Sequence, residues 1–357
     1  MNVERMLREQ ERMLWATAVC FALGALAGAA VLWGAVRPFD GVGAVLVSGG
    51  VLIPVALVAG VIAAGAFVVS GRMHRSGETA LMPDWQALVS NVSGVAVGAA
   101  LAGVTGLGVL LAGEVLATGL QGVRVSAIGG GVFAGVASAL GGRFAFRTGI
   151  RLTTRDIASL MFAFLIIGTL FAMLTASDPA WWSRSFSDLG IGTHGWAFNG
   201  TVVIAGLLVA TTGSYLGRDL HRMLGDAALR GIAAVVTAWA VAGLALAAVG
   251  MLPLNEAPLP HAIAAFAALV LILAGVVMTT LLMGELRMLR ALTVALVVLV
   301  VVAVILAFVA HVLPVAGLEA VVVGLVLLWL STLTRLLCIL APEESRPSAR
   351  RSPLRAG

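Results

Sequence analysis

The sequence predicts an all-α, polytopic transmembrane helical bundle of about ten spans, with both termini cytoplasmic. Three observations carry that prediction. The 357-residue chain is 61% hydrophobic and only 11% charged, with a mean hydropathy of +1.08, whereas a soluble domain carries about 25% charged residues. Its apolar runs are long enough to supply about ten membrane-crossing helices of about 20 residues each. Its arginines gather at alternate span ends and at both termini, which fits the positive-inside rule with both termini cytoplasmic and so an even number of spans.

Taken in order, spans are expected at roughly 13–36, 43–70, 91–113, 125–142, 157–176, 197–216, 231–251, 261–284, 291–312 and 317–338. Residues 1–12 (MNVERMLREQER) mix both charge signs, and Glu4–Arg8 and Arg5–Glu9 are i,i+4 helix pairs. The apolar run from Met13 to Val36 exceeds the core of about 7–15 residues of a secretory signal. It is read as an uncleaved first span preceded by a short cytosolic helix. The run 43–70 is long for one span, and Pro54 with the Gly49-Gly50 pair is expected to kink or tilt it. The run 125–142 is short, and Gly129, Gly130 and Gly131 thin its side chains. The chain therefore divides into an N-terminal four-helix membrane region (1–150), a six-helix membrane module (151–340) and a disordered basic cytoplasmic tail (341–357).

With the N-terminus inside, 19 of the 22 arginines fall in cytoplasmic segments and only Arg37, Arg124 and Arg184 lie outside. One missed or invented helix would swap every later loop and destroy that bias. The lysine-free, Ala/Val/Gly-rich composition suggests a high-GC bacterial source, so the plasma membrane is the expected location.

The absence of lysine excludes retinal and pyridoxal Schiff bases, which need its amine, and the Walker A phosphate loop. Cys20 and Cys338 form no CxxC pair and are expected to be small buried hydrophobes. The pI near 10.8 reflects arginines beside apolar spans, so no nucleic-acid partner is expected.

Gly24 and Gly28 in the first span, and Gly131 and Gly135 in the fourth, make GxxxG steps suited to close helix packing. No ionisable residue lies near the centre of any expected span, which weighs against a proton-coupled pump. Thr105, Thr211, Thr212, Thr279, Thr280 and Ser331 are expected to bond back to helix carbonyls. On the cytoplasmic side, Asp219, His221 and Asp226 with Arg218, Arg222 and Arg230 read as a solvated charge run. Thr153 and Asp156 resemble a capping box opening the fifth span.

The remaining polar residues gather on the expected outer face. Loop 177–196 (SDPAWWSRSFSDLGIGTHGW) carries Asp178, Trp181, Trp182, Arg184, Ser185, Ser187, Asp188, His194 and Trp196, and Asn199 follows. Loop 252–260 carries Asn255 and Glu256. His261 opens the eighth span, His311 closes the ninth and Glu319 opens the tenth. Three readings stand side by side. One is interfacial decoration, with Trp181, Trp182 and Trp196 as membrane-interface anchors. The second is a ligand-binding pocket built from Ser187, Asp188, His194, Asn199, Glu256 and His261, with Asp188 or His194 near Glu256 or His261. The third is a metal-dependent hydrolase site using His194, His261 and His311 with Asp188 or Glu256, although no spacing here is a metal motif. No GxSxG elbow surrounds Ser185 or Ser187.

The run Ser187-Asp188-Leu189-Gly190, then Phe198-Asn199-Gly200, then a helix-opening His261, resembles the uncharacterised bacterial multi-spanning family catalogued as domain of unknown function 998, over about residues 151–340. The resemblance implies a six-helix membrane module with an outer-face functional patch at Ser187, Asp188, Gly190, Asn199 and His261. It implies no activity.

The leading expectation is a non-enzymatic protein that recognises or passes a small or lipidic ligand at an outward-facing site, with no cofactor. The alternatives are a membrane-embedded hydrolase acting at the outer leaflet and a structural subunit of a membrane complex. The expected partners are the lipid bilayer, a lipid or small-molecule ligand, and a second chain, identical or different, meeting small-residue helix faces.

Overall fold

A computed structural model describes residues 3–34, 36–41, 50–75, 84–284 and 286–340. Among them ten helices are long and apolar enough to cross a membrane: α1 (Val3–Val31), α2 (Leu52–Arg75), α3 (Asp84–Ala117), α4 (Ala127–Ile150), α5 (Thr154–Leu174), α6 (Gly195–Leu224), α7 (Leu229–Met251), α8 (Pro258–Leu282), α9 (Arg287–Phe308) and α10 (Val315–Leu340). The chain is thus an all-α, multi-pass membrane protein. In hydrocarbon, a helix is the open-chain solution that bonds every backbone group internally.

Several boundaries differ from the expected ones for local reasons. The charged N-terminal residues and the first span form one helix, α1, and not two. The Glu4–Arg8 and Arg5–Glu9 pairs involve side chains outside the described residues; Glu9 meets Arg151 at 3.4 Å. Residues 42–49, including Gly49, also lie outside the described residues. Pro54 sits in the first turn of α2, where its missing N–H breaks no helical bond, so it does not act as a mid-helix kink. The fourth helix runs two turns past its expected end. Ser126 caps its start by accepting from the Gly129 amide at 3.2 Å, and Arg147 lies in its last turn, where a cation suits the helix dipole. The tail 341–357 lies outside the described residues.

Two compact units are distinguished. In the first (1–79, 94–152 and 166–175), α1 and α2 each pack along α4 and meet one another far less. The two GxxxG steps face each other: a Cβ on Gly131 would meet the Ala25 carbonyl at 2.7 Å, and one on Gly135 would meet the Ala25 Cβ at 3.1 Å. The small-residue faces are therefore used inside the chain, between α1 and α4. A Cβ on Gly60 of α2 would meet the Ala102 carbonyl of α3 at 2.9 Å. A two-residue antiparallel bridge pairs Arg37 with Val125 and Pro38 with Arg124.

The second unit (80–93, 153–165 and 176–357) is built on α6 against α7, α7 against α8, and α9 against α10. Lipid tails are as apolar as the helices, so close packing and polar contacts must hold such a unit together. A Cβ on Gly243 would meet the Ala210 Cβ at 2.8 Å. Deeper in, Trp239 and Trp329 stack with centroids 6.0 Å apart. The Trp239 indole donates to Thr279 at 3.1 Å, and the Trp329 indole donates to Thr293 at 2.8 Å. Thr293 and Thr280 share a hydrogen bond of 2.7 Å. Thr279 and Thr280 also donate back to the Gly275 and Val276 carbonyls. Two buried hydrogen-bonded groups, one joining α7 to α8 and the other joining α8, α9 and α10, meet through the stacked indoles.

Cys20 is buried, as expected, but Cys338 is exposed on α10. The residues around Asp219 are not a solvated run. Arg218, Asp219, His221 and Arg222 belong to the last turns of α6, and Asp219 is buried. Its carboxylate accepts from the Thr154 hydroxyl at the head of α5 and from Arg218 Nε at 3.1 Å, with Arg222 at 3.7 Å. The Thr153–Asp156 capping box is present: the Asp156 carboxylate accepts from the Thr153 amide at 3.0 Å, and the Asp156 amide donates to the Thr153 hydroxyl at 3.2 Å.

Candidate functional site

The loop from α5 to α6 folds into two short 3-10 turns, Trp181–Ser183 and Phe186–Gly190. Local hydrogen bonds set its shape. The Asp178 carboxylate accepts from the Ala180 amide at 2.8 Å and from Arg184 at 2.7 Å. Arg184 Nε also donates to Asp188 at 2.9 Å, and the Ser185 hydroxyl donates to the other Asp188 oxygen at 2.9 Å. The hydrogen bond from Arg184, then that from the Ala180 amide, holds the Asp178 carboxyl below the usual aspartate range. Arg184 is correspondingly held in its charged form, first by Asp178 and then by Asp188.

Three helices grip this loop. The head of α10 supplies the Ala316 amide, which donates to the Arg184 carbonyl at 2.9 Å. It also supplies the Glu319 carboxylate, which accepts the Phe186 amide at 2.6 Å. That amide opens the second 3-10 turn, whose N-cap residue Ser185 makes no side-chain cap bond, so Glu319 caps the turn from another helix. From α6, the Asn199 side-chain amide donates to the Gly190 carbonyl at 3.0 Å. Gly190 and Gly195 lie too close for any side chain between them. Gly192 turns the chain with φ of 86°, a conformation that favours glycine.

The third grip carries the chemistry. Ser187, 8% exposed, and His261, 4% exposed, share a hydrogen bond of 2.9 Å between Ser187 Oγ and His261 Nε2. His261 Nδ1 lies 2.7 Å from the carbonyl oxygen of Leu252, the residue that ends α7. A carbonyl oxygen only accepts, so Nδ1 carries a proton, and in the neutral form of the ring Nε2 presents its lone pair to the serine hydroxyl. His261 is held at this point because Pro258 opens α8, a position suited to its missing N–H. The His261 amide then closes the first turn onto the Ala257 carbonyl at 2.9 Å.

Of the residues picked out from the sequence, the structure brings Ser187 and His261 into direct contact. Asp188 turns instead to Arg184 and Ser185. Glu256 and Asn255 are exposed in the α7–α8 turn. Asn199 binds the loop backbone. His194 stands at the N-cap position of α6 without a cap bond, and its Nε2 is buried without a hydrogen bond from the protein. His311 is exposed, with φ of 53°. The expected metal set of His194, His261 and His311 with Asp188 or Glu256 does not assemble: no group of three or more His, Cys, Asp or Glu residues could hold a metal ion among the described residues. The Nδ1 and Nε2 of His261 are already committed to Leu252 and Ser187. Trp181 packs on Phe186, with centroids 5.2 Å apart, whereas Trp182 and Trp196 are 63% and 51% exposed.

The Leu252 carbonyl and the capping role of Glu319 had no sequence signal. The first is backbone, and the second depends on a partner 133 positions away.

A family model described as a protein of unknown function (DUF998) matches residues 157–336, which include Ser187, Leu252, His261 and Glu319. No curated protein and no solved structure matches the chain.

Proposed function

Because the chain belongs to the DUF998 family, whose description assigns no activity, we propose a function from its own geometry: a membrane-embedded acyl hydrolase in which Ser187 is the nucleophile and His261 the general base. The observation that carries this reading is the chain Ser187 Oγ, His261 Nε2, His261 Nδ1, Leu252 carbonyl. A nucleophile within reach of a base that a third group orients is the signature of an activated hydroxyl. Ser187 Oγ attacks the carbonyl carbon of an ester as His261 Nε2 takes its proton. The Leu252 carbonyl holds the imidazolium that forms. His261 then returns the proton to the leaving alcohol; in the second half a water that His261 deprotonates attacks the acyl carbon, the bond to Ser187 Oγ breaks, the acid leaves, and His261 gives its proton back to Ser187 Oγ. General-base assistance of this kind contributes about 10²–10⁴-fold.

The place of this centre at the ends of apolar helices supports a lipidic or amphiphilic ester as substrate. The arginine distribution supports an outward-facing site with both termini cytoplasmic, and the lysine-free, Ala/Val/Gly-rich composition supports a bacterial plasma membrane.

Recognition of a small or lipidic ligand without chemistry is the second reading. The buried, unbonded Nε2 of His194 favours it, because a buried polar atom without a partner is costly unless something satisfies it.

Turnover of short- and long-chain acyl esters by the protein in lipid nanodiscs separates the two. Hydrolysis is expected in the wild type and only background in a folded Ser187→Ala variant. Equal turnover by both proteins, or none by either, would refute the hydrolase and leave recognition as the reading.

A further inference from the structure

The first unit holds a groove of about 1020 Å³ that the centre at Ser187 and His261 does not involve. Its walls are α1, from Arg12 to Leu23, and α2, from Val61 to Met73; its floor includes Phe146 and Ile150 of α4. The groove exists because α1 and α2 are both drawn onto α4 by small residues and do not close on each other. Gly65 of α2 keeps it open: nothing lies within 4 Å of where its Cβ would be.

Its dimensions and chemistry match one leaflet of a bilayer. From Arg12 to Leu23 the helix rises about 16 Å, close to half of a hydrocarbon core about 30 Å thick. The lining is mostly apolar along that length, and Arg12 and the exposed Trp15 stand at one end, where headgroup-level residues belong. Arg72 on α2 and Arg147 on α4 lie at the same helix ends, and both are exposed. The nearby acids are Glu9, which Arg151 engages, and the exposed Glu11, against Arg12, Arg72, Arg147 and Arg151. The end of the groove therefore carries an excess of positive charge.

We propose that this groove is a binding site for a phospholipid with an anionic headgroup, its acyl chain lying between α1 and α2 and its phosphate at Arg12. The site stands independently of the hydrolase reading.

Native mass spectrometry of the detergent-solubilised full chain tests it, with palmitoyl-oleoyl phosphatidylglycerol and the matching phosphatidylcholine as probes. The wild type is expected to retain one phosphatidylglycerol about five-fold better than phosphatidylcholine, the preference that one basic residue at a membrane surface supplies. Arg12→Gln should erase that preference. Gly65→Leu should fill the groove without a clash and lose both lipids while melting no lower than wild type. Should Gly65→Leu fail to fold, Val61→Trp, at a groove-lining site that is 70% exposed, replaces it. Equal retention of the two lipids by the wild type, or full phosphatidylglycerol retention by a folded groove-filling variant, would overturn the proposal.

Discussion

Ser187, in the loop after α5, and His261, in the first turn of α8, lie 74 positions apart and meet through a hydrogen bond of 2.9 Å. The bond does two things. It ties a surface loop to the head of a helix, and it sets a serine hydroxyl against an imidazole nitrogen whose ring is fixed from its other side by the Leu252 carbonyl. Both side chains are buried, so either loss is felt in stability as well as in chemistry.

His261→Ala should therefore lower stability by about 1–3 kcal/mol, because it leaves the Leu252 carbonyl and the Ser187 hydroxyl buried without their partner. Ser187→Ala removes only one donor and should cost less, about 1 kcal/mol. Thermal unfolding of both variants in the same detergent checks the order. A His261→Ala protein as stable as Ser187→Ala would mean that the ring is not held as described.

Glu319→Ala should free the Phe186 amide and loosen the second 3-10 turn. Exchange of that amide with solvent deuterium should speed up by about ten-fold, the loss of one hydrogen bond. Glu319→Gln keeps an acceptor oxygen and should change exchange much less.

Loop order should persist into acid. The folded-state pKa of Asp178 is depressed by Arg184, so its ion pair stabilises the loop above the ordinary aspartate range. That contribution is lost only as pH falls through the depressed value. The pair is exposed, so the effect is modest. Proteolysis of loop 177–188 should stay slow at about pH 4, where a free aspartate is half-titrated, and rise below it. Arg184→Gln should shift the rise to higher pH.

Thr293→Val should leave the Trp329 indole without its acceptor and Thr280 without its side-chain partner. A loss of about 1–3 kcal/mol follows, as for other orphaned buried polar groups. Thr293→Ser should restore most of it. Melting curves of the two variants decide whether the network is cooperative or incidental.

The sequence made the helices legible because a bilayer imposes long apolar runs with arginines at their ends. It misplaced the end of α4 because Arg143 and Arg147 look like loop residues, although a helix end tolerates them. It also named Ser187 and His261 together, but expected Asp188 or His194 to reach toward the second loop. In a 3-10 turn, adjacent residues point in different directions. Ser187 faces α8 while Asp188 turns back to Arg184, and no periodicity in so short a segment reveals which does which. The burial of Asp219 was hidden for another reason. Its partner Thr154 is 65 positions away, so the carboxylate read as one of a run of surface charges. Likewise, Trp239, Trp329 and Thr293 sit in uniformly apolar helices, where nothing marks the hydroxyl that meets an indole.

Sidedness rests on the 19-to-3 arginine split. Single cysteines introduced at positions 185 and 256 should react with an impermeant maleimide from outside intact cells, and those at 225 and 350 should not. Labelling of 185 only after permeabilisation would reverse the assignment.

The central claim is that Ser187 is an activated nucleophile, and its reaction with a fluorophosphonate probe in native-like membranes tests this most directly. The account predicts that the probe attaches covalently to Ser187, located by peptide mass mapping, and that a folded His261→Gln variant is not labelled. A folded wild-type protein that never labels at Ser187, or labels equally well without His261, would contradict it.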